Sequence, residues 1–131
     1  MIGLDTNILV RYLTQDDVVQ SPIASDLLER RLSAETQGFI SVVAMAETVW
    51  VLQRNYRMKR PALAACVARL LQADVIVVQH QPAVHAAMVA YRDRGSDFGD
   101  ALIALLGMQS GCTSTLTFDR DALRQPGFAH P

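Results

Sequence analysis

The sequence lacks a hydrophobic run long enough to cross a membrane. Its longest nearly apolar stretch, Ala101 to Met108, is much shorter than the roughly 20 residues that a membrane helix needs. No basic and then apolar leader precedes the first predicted strand, so we expect no signal peptide. The only cysteines, Cys66 and Cys112, lack the spacing of a disulfide framework or a metal knuckle. We therefore expect a cytoplasmic protein with reduced thiols and no membrane partner.

The sequence also lacks an excess of positive charge. The net charge is −1, and Lys59 is the only lysine, so any polyanion has to be bound by a local feature rather than a global field. Repeats, low-complexity tracts and Pro/Gly/Ser-rich linkers are absent as well, which favours a single domain over residues 1–131. A hydrophobic content of 50% with 19% charged residues excludes disorder.

Predicted strands alternate with predicted helices along the chain. Residues 2–4 form an apolar segment without a polar face, which is typical of a strand buried on both sides. Ser21 followed by Pro22 predicts a cap and first turn, with Ile23 on the inward face of the helix. The alternation predicts an α/β protein with a parallel sheet of four or five strands and helices on both faces. Further strands are predicted at 38–41, 75–78 and 113–118, and helices at 8–13, 22–32, 42–56, 60–73, 82–94 and 97–110.

Acidic residues fall where this fold gathers ligand-binding groups, at the carboxyl ends of the strands. Asp5 follows the first strand and Asp119 the last. Asp97 and Asp100 begin a helix, and Asp100 is spaced to point towards the core. Glu47 is the only acid in its helix. Its spacing places it on one face with Val43 and Trp50, which we interpret as a buried face.

Each acid also has a structural interpretation. Asp5 could cap the following helix, Asp97 with Asp100 resembles a capping pair, and Asp119 or Asp121 could cap a final turn. Glu47 is the hardest to explain in this way, because a buried glutamate is rare without a partner. Four coincidences at one edge are less plausible than one shared cause.

Carboxylates that gather in one place repel each other unless a cation lies among them. Oxygen ligands without histidine or cysteine suit Mg²⁺ or Mn²⁺ rather than zinc. Such a site, with water positions left on the metal, suits hydrolysis of a phosphodiester. We therefore predict a metal-dependent phosphodiesterase.

The chain resembles the PIN-domain nucleases over essentially its whole length, and specifically the toxins of bacterial VapBC-type toxin–antitoxin pairs. This resemblance implies a single PIN domain with a three-layer α/β/α fold. Individually the matching strings are weak, but their order and spacing are fairly specific. The matching strings are Met1 to Asn7, Ala46 to Thr48, Asp97 to Ala104 and Thr117 to Asp121.

The resemblance also implies an activity and a set of partners. It implies a Mg²⁺- or Mn²⁺-dependent endoribonuclease that leaves a 5′-phosphate, a homodimer, and an antitoxin that blocks the site with an arginine. Thr6 or Asn7 would orient the Asp5 carboxylate without binding the metal directly. The implied metal-binding and catalytic acids are Asp5, Glu47, Asp100 and Asp119, with Asp97 as a candidate fifth ligand.

A basic segment around one aromatic residue offers a candidate RNA contact. Phosphates could bind its cationic groups and a base could stack on its tyrosine, although cations at a helix end are also ordinary dipole chemistry. The segment comprises Arg54, Tyr56, Arg57, Lys59 and Arg60.

Three other functions are weaker. A receiver domain needs a lysine near its last strands, and none follows Lys59. A haloacid-dehalogenase-like phosphatase needs an aspartate two residues after the first, where this chain has Asn7. A catalytically silent PIN-like module that binds RNA or protein remains, but the complete acidic set argues against it.

Overall fold

The computed structural model describes residues 1–131. The chain divides into two compact units, a first unit Met1–Gln81 and a second unit Pro82–Pro131. None of its helices combines the length and the apolarity needed to span a membrane. The first unit contains, in order, β1 (Ile2–Gly3), α1 (Thr6–Thr14), α2 (Gln20–Asp26) continued by a π-helical turn (Leu27–Arg31), β2 (Gly38–Ile40), α3 (Val42–Arg54), α4 (Arg60–Gln72) and β3 (Ile76–Val78).

The sheet of the first unit has three parallel strands in the order β1-β2-β3. Gly38 in the central strand lies close to two leucine side chains: a Cβ there would lie 2.8 Å from Leu4 Cδ1 and 2.9 Å from Leu32 Cδ1, so both would have to shift. The prediction that residues 2–4 are buried on both sides is wrong for Ile2 and Gly3, which are exposed. The reason is that β1 is an edge strand of this sheet. Only Leu4, which follows it, is buried.

The start of α2 also differs from the prediction. The helix begins at Gln20, and Asp17 rather than Ser21 accepts hydrogen bonds there, from the backbone N–H groups of Val19 and Gln20. Ser21 lies inside the helix and is buried, and its hydroxyl is satisfied by donating to the Arg11 carbonyl. This setting turns Ile23 outwards, so its predicted inward position is wrong.

Helices α3 and α4 begin where the sequence predicts, whereas α1 begins at Thr6, two residues before its predicted start. Ser41 caps α3 by accepting a hydrogen bond from the Ala44 N–H, and α4 begins at Arg60 with a proline in its first turn. Helix α3 packs on α1 and on α4, and α4 packs on β3. These contacts position the residues at the start of α1 and along α3.

The second unit contains two long helices and a short pair of strands. Its elements are α5 (Gln81–Arg94), which begins at the last residue of the first unit, α6 (Phe98–Gln109), β4 (Thr115–Leu116), a 3-10 turn (Ala122–Arg124) and β5 (Phe128–Ala129). Strand β4 pairs in parallel with β5, not with the three-stranded sheet.

The α/β class with parallel strands is confirmed. The five strands, however, form a three-stranded and a two-stranded sheet, instead of the single sheet of four or five that we predicted. The pattern missed β5 because it is only two residues long. The predicted inward residues of α5 are buried, as expected: Val84, Ala87, Met88 and Tyr91.

Candidate active site

Asp5 joins the end of β1 to the start of α1. It has the extended backbone of an N-cap residue, and its Oδ1 accepts a hydrogen bond of 2.8 Å from the Thr6 N–H. The capping interpretation is therefore correct, but it uses only one carboxylate oxygen. The side chain is exposed, so the other oxygen is available to a ligand.

Glu47 lies on α3, and its surroundings differ from the prediction. The face that it shares with Val43 and Trp50 is exposed rather than buried, since Val43 is 69% and Trp50 53% exposed. Helix α3 is apolar on nearly every side, so no polar residue marked which face is outward. The buried face is instead formed by Ala44, Met45, Thr48, Val49 and Leu52.

A cavity of about 590 Å³ brings the acids of the first unit to one surface. Asp5 and Glu47 both line it, and so do Thr6 and Asn7, the residues expected to orient the first aspartate. The full lining is Asp5, Thr6, Asn7, Val10, Arg11, Asp16, Glu47, Val51, Asn55 and Tyr56.

Thr6 carries an unpartnered polar atom in this lining. Its side chain is buried, and its Oγ1 makes no hydrogen bond. A buried hydroxyl without a partner costs about 1–3 kcal/mol, so a group that enters the cavity and bonds to it is stabilised. Asp5 and Glu47 supply carboxylate oxygens, the donor type that a hard cation with part of its water shell prefers. The residues present therefore fit the divalent metal that the sequence implies.

The lining of the cavity also contains a hydrogen-bonded group that the sequence did not predict. Arg11 Nη1 lies 3.2 Å from Asp16 Oδ1, and the Tyr56 hydroxyl donates to Asp16 Oδ2 at 2.7 Å. The hydrogen bond from Tyr56, followed by one from Thr14, lowers the pKa of Asp16. Tyr56 belongs to the predicted basic segment, but its acidic partner lies 40 residues away. No local pattern could have indicated this pairing.

The other residues of the basic segment do not line this cavity. The Arg54 guanidinium stacks on the Trp50 ring at 5.2 Å from its centroid. Arg57 and Lys59 are exposed, and Arg57 has a positive φ of 48°. Tyr56 alone connects the segment to the candidate site.

The second unit holds a separate group of aspartates. Asp97 caps α6, because its Oδ2 accepts a hydrogen bond of 2.9 Å from the Asp100 N–H. Asp119 Oδ1 accepts from the N–H groups of Asp121 at 2.8 Å and Ala122 at 3.4 Å. Both are exposed, as is Asp121. The capping interpretations of Asp97 and Asp119 are therefore correct, and both side chains remain accessible to solvent.

Asp100 is the half-buried member of this group. Its pKa is raised by burial first, and then by the negative charges of Asp97, Asp119 and Asp121. Asp100 was expected to point towards the core because it shares a helix face with Ile103 and Ala104. Only Ala104 is buried, whereas Ile103 is exposed, so Asp100 lies at the edge of the buried face. No group of three or more His, Cys, Asp or Glu side chains is placed to hold a metal ion.

Comparison with known proteins places the chain in a family. No curated protein matches it. The model of the PIN domain family, however, matches residues 2–128, and so spans both units. PIN domains are generally nucleases, and they generally use divalent metal ions. The chain belongs to the PIN domain family.

Proposed function

We propose that this protein is a metal-dependent endoribonuclease and the toxin of a type II, VapBC-type toxin–antitoxin system. The observation that carries the proposal is the cavity of the first unit, where Asp5 and Glu47 lie with the unpartnered Thr6 hydroxyl in a PIN-family chain. The raised pKa of Asp100 supports it, because an acid whose charge is disfavoured by burial and by like charges is one that a bound cation would stabilise.

We propose the same acids as candidate metal-binding and catalytic residues that the resemblance implies. They are Asp5 and Glu47 in the first unit, and Asp100 and Asp119 in the second, with Asp97 as a fifth candidate. Of the two residues expected to orient Asp5, Thr6 holds its carboxylate through a backbone N–H, and Asn7 lines the same cavity.

Each group of residues has a distinct task in this proposal. The carboxylates would hold Mg²⁺ or Mn²⁺, and the Thr6 N–H holds the Asp5 carboxylate in position. When bound, the metal supplies polarisation of the phosphoryl oxygen and activation of the attacking water. The products are an RNA with a 5′-phosphate and one with a 3′-hydroxyl.

Cleavage of a defined RNA panel tests this function. We expect single-stranded or loop RNA, with tRNAs in the panel, to be cut in Mg²⁺ or Mn²⁺ and to remain intact in excess EDTA. Asp5→Asn, purified identically, is the control for a contaminating nuclease, because asparagine keeps the capping capacity of this position. Equal cleavage in EDTA, or equal cleavage by the variant, would contradict the proposal.

The alternative function is a catalytically silent PIN-like module that binds RNA or protein. The same panel separates the two functions. Retention of RNA without cleavage, in Mg²⁺ and in Mn²⁺, would favour the silent module.

We further propose that the protein is a homodimer that binds a VapB-like antitoxin near its early helices. Three exposed apolar residues just before and within α2 support this: Val18 is 93%, Val19 65% and Ile23 58% exposed. Ile23 also lines a groove of about 220 Å³ between α1 and α2. Contiguous exposed apolar surface is typical of interaction sites. A monomer by light scattering at tens of micromolar would contradict the dimer.

A further inference from the structure

Arg11 is the only cation in the lining of the cavity that holds Asp5 and Glu47. Its guanidinium is fixed on two sides: Nε donates to Gln20 Oε1 at 2.9 Å, and Nη1 donates to Asp16 Oδ1 at 3.2 Å. A guanidinium has five N–H donors. The two of Nη2 make no hydrogen bond within the chain, so this nitrogen is free to bind a ligand.

Tyr56 and Asp16 hold this guanidinium in place. The Tyr56 hydroxyl donates to Asp16 Oδ2 at 2.7 Å, and it also lies 3.4 Å from Arg11 Nη1. The bond links the residue after the C-cap of α1 to the residue after the C-cap of α3, since α1 ends at Thr14 and α3 at Arg54. Arg11 is therefore preorganised, and a ligand that binds it loses less side-chain entropy than with a mobile arginine.

The charges of the cavity define the ligand that Arg11 can take. Three carboxylates and one guanidinium line it, so an anion is repelled by the acids and attracted at Arg11 alone. A planar guanidinium with two free donors suits a phosphate oxygen.

We propose that Arg11 binds a backbone phosphate of single-stranded RNA in this cavity, with Asp16 and Tyr56 as its positioning residues. The inference rests on the proposed function, because RNA is the substrate proposed for this site. It adds the residue that holds the substrate beside the acids.

A purely structural role for Arg11 has different consequences. In that case its loss would lower stability without changing the number of phosphates that the protein contacts. The salt dependence of RNA binding separates the two roles, because each phosphate contact to a single strand contributes about 0.7 to the slope of log K against log salt. A structural residue leaves that slope unchanged.

The binding experiment uses a double variant as its background. In this variant the proposed metal ligands Asp5 and Glu47 are neutral, so they neither support cleavage nor repel RNA. Asp5→Asn with Glu47→Gln removes two negative charges at exposed positions and keeps both side-chain shapes. Binding of a short, labelled, single-stranded RNA is measured by fluorescence anisotropy in EDTA over a range of salt. Arg11→Gln is then added to this background. Arg30→Gln is the matched control, because Arg30 is an exposed arginine whose only ion pair, with Asp26, is 3.8 Å long.

Arg11→Gln should weaken RNA binding about tenfold, as the loss of a charge-assisted hydrogen bond does, and lower the salt slope by about 0.7. Arg30→Gln should change affinity less than about twofold, as expected of a weak exposed pair. Tyr56→Phe should weaken binding about threefold through the loss of one neutral donor, without changing the slope. Equal effects of Arg11→Gln and Arg30→Gln, an unchanged slope for Arg11→Gln, or no RNA binding by the background would overturn the proposal.

Kinetics of the otherwise native protein provide a second readout. In Mg²⁺ or Mn²⁺, Arg11→Gln should raise KM and leave kcat nearly unchanged, since binding of a remote phosphate is uniform through the reaction. A fall in kcat at constant KM would overturn the assignment. If the protein cuts no RNA, the nuclease function fails, while the anisotropy measurements in EDTA still decide whether Arg11 binds phosphate.

Discussion

Asp16 in the first unit and Asp100 in the second show how one residue type behaves in opposite surroundings. Asp16 accepts hydrogen bonds from Tyr56 and Thr14 and lies beside Arg11, and its pKa is lowered. Asp100 is half-buried among aspartates, and its pKa is raised. A carboxylate such as Asp16, whose oxygens accept hydrogen bonds, fixes the positions of the side chains that donate to it. A carboxylate such as Asp100 is destabilised when ionised and gains most from an added cation.

The comparison extends to the proposed metal ligands. Asp5 and Glu47 are exposed on a cavity that also contains Arg11, whereas the charges that act on Asp100 are all negative. Metal binding should therefore affect the stability of the protein mainly through the second group. RNA binding should depend mainly on the first.

The largest expected effect is the loss of cleavage on removal of any one proposed ligand. Changing Asp5, Glu47, Asp100 or Asp119 to Ala should each lower kcat/KM more than about a hundredfold, because residues that act as a unit fail together. Asp26→Ala, which removes an exposed acid paired only with Arg30, is the control. Normal cleavage by the Asp100 and Asp119 variants would show that the aspartates of the second unit have no part in catalysis.

The next effect is a reversal of stability at Asp100. Asp100→Asn should melt higher than the native protein in EDTA at neutral pH, because it removes a charge that folding disfavours. In millimolar Mn²⁺ the order should reverse, since a ligand bound only by the folded state adds about 2.7 kcal/mol at a hundredfold excess over Kd. An unchanged melting temperature of the native protein on addition of Mn²⁺ would contradict a metal site.

The pH dependence of this difference has a defined sign. The pKa of Asp100 is higher in the folded state than its ordinary value of 3.8, so ionisation costs stability. The cost is absent below the unfolded value, appears as the pH rises from there through the folded pKa, and is complete above it. The advantage of Asp100→Asn in EDTA should therefore shrink as the pH falls towards 3.8, and melts at several pH values would detect this.

The smallest effect is expected at Asp97, which is both a cap and a neighbouring charge. Asp97→Asn should cost at most a few tenths of a kcal/mol, because Asn and Asp cap about equally well, whereas Asp97→Ala should cost about 1 kcal/mol. Asp97→Asn should also lower the pKa of Asp100, since it removes a like charge. NMR titration of the Asp100 carboxyl carbon measures this pKa, and an unchanged value would remove Asp97 from the list of interacting acids.

Sequence reasoning placed most helices well, because their signals are local. Ser41 and Asp97 cap the helices that they were expected to begin, and the inward residues of α5, such as Val84, are buried. It failed where the local signal was ambiguous. Ser21 followed by Pro22 resembles a cap, but the Asp17 carboxylate satisfies that helix end instead.

The sequence by itself determined the PIN family, the α/β class, and the identity and order of the acids, because composition, caps and motif spacing are all properties of neighbouring residues. The tertiary structure alone decided which faces are exposed and which distant groups meet. Glu47 lies on an exposed face because packing against α1 and α4 left that side of an apolar helix uncovered. Arg11, Asp16 and Tyr56 meet across 45 residues of chain, a contact created by helix packing that no local pattern encodes.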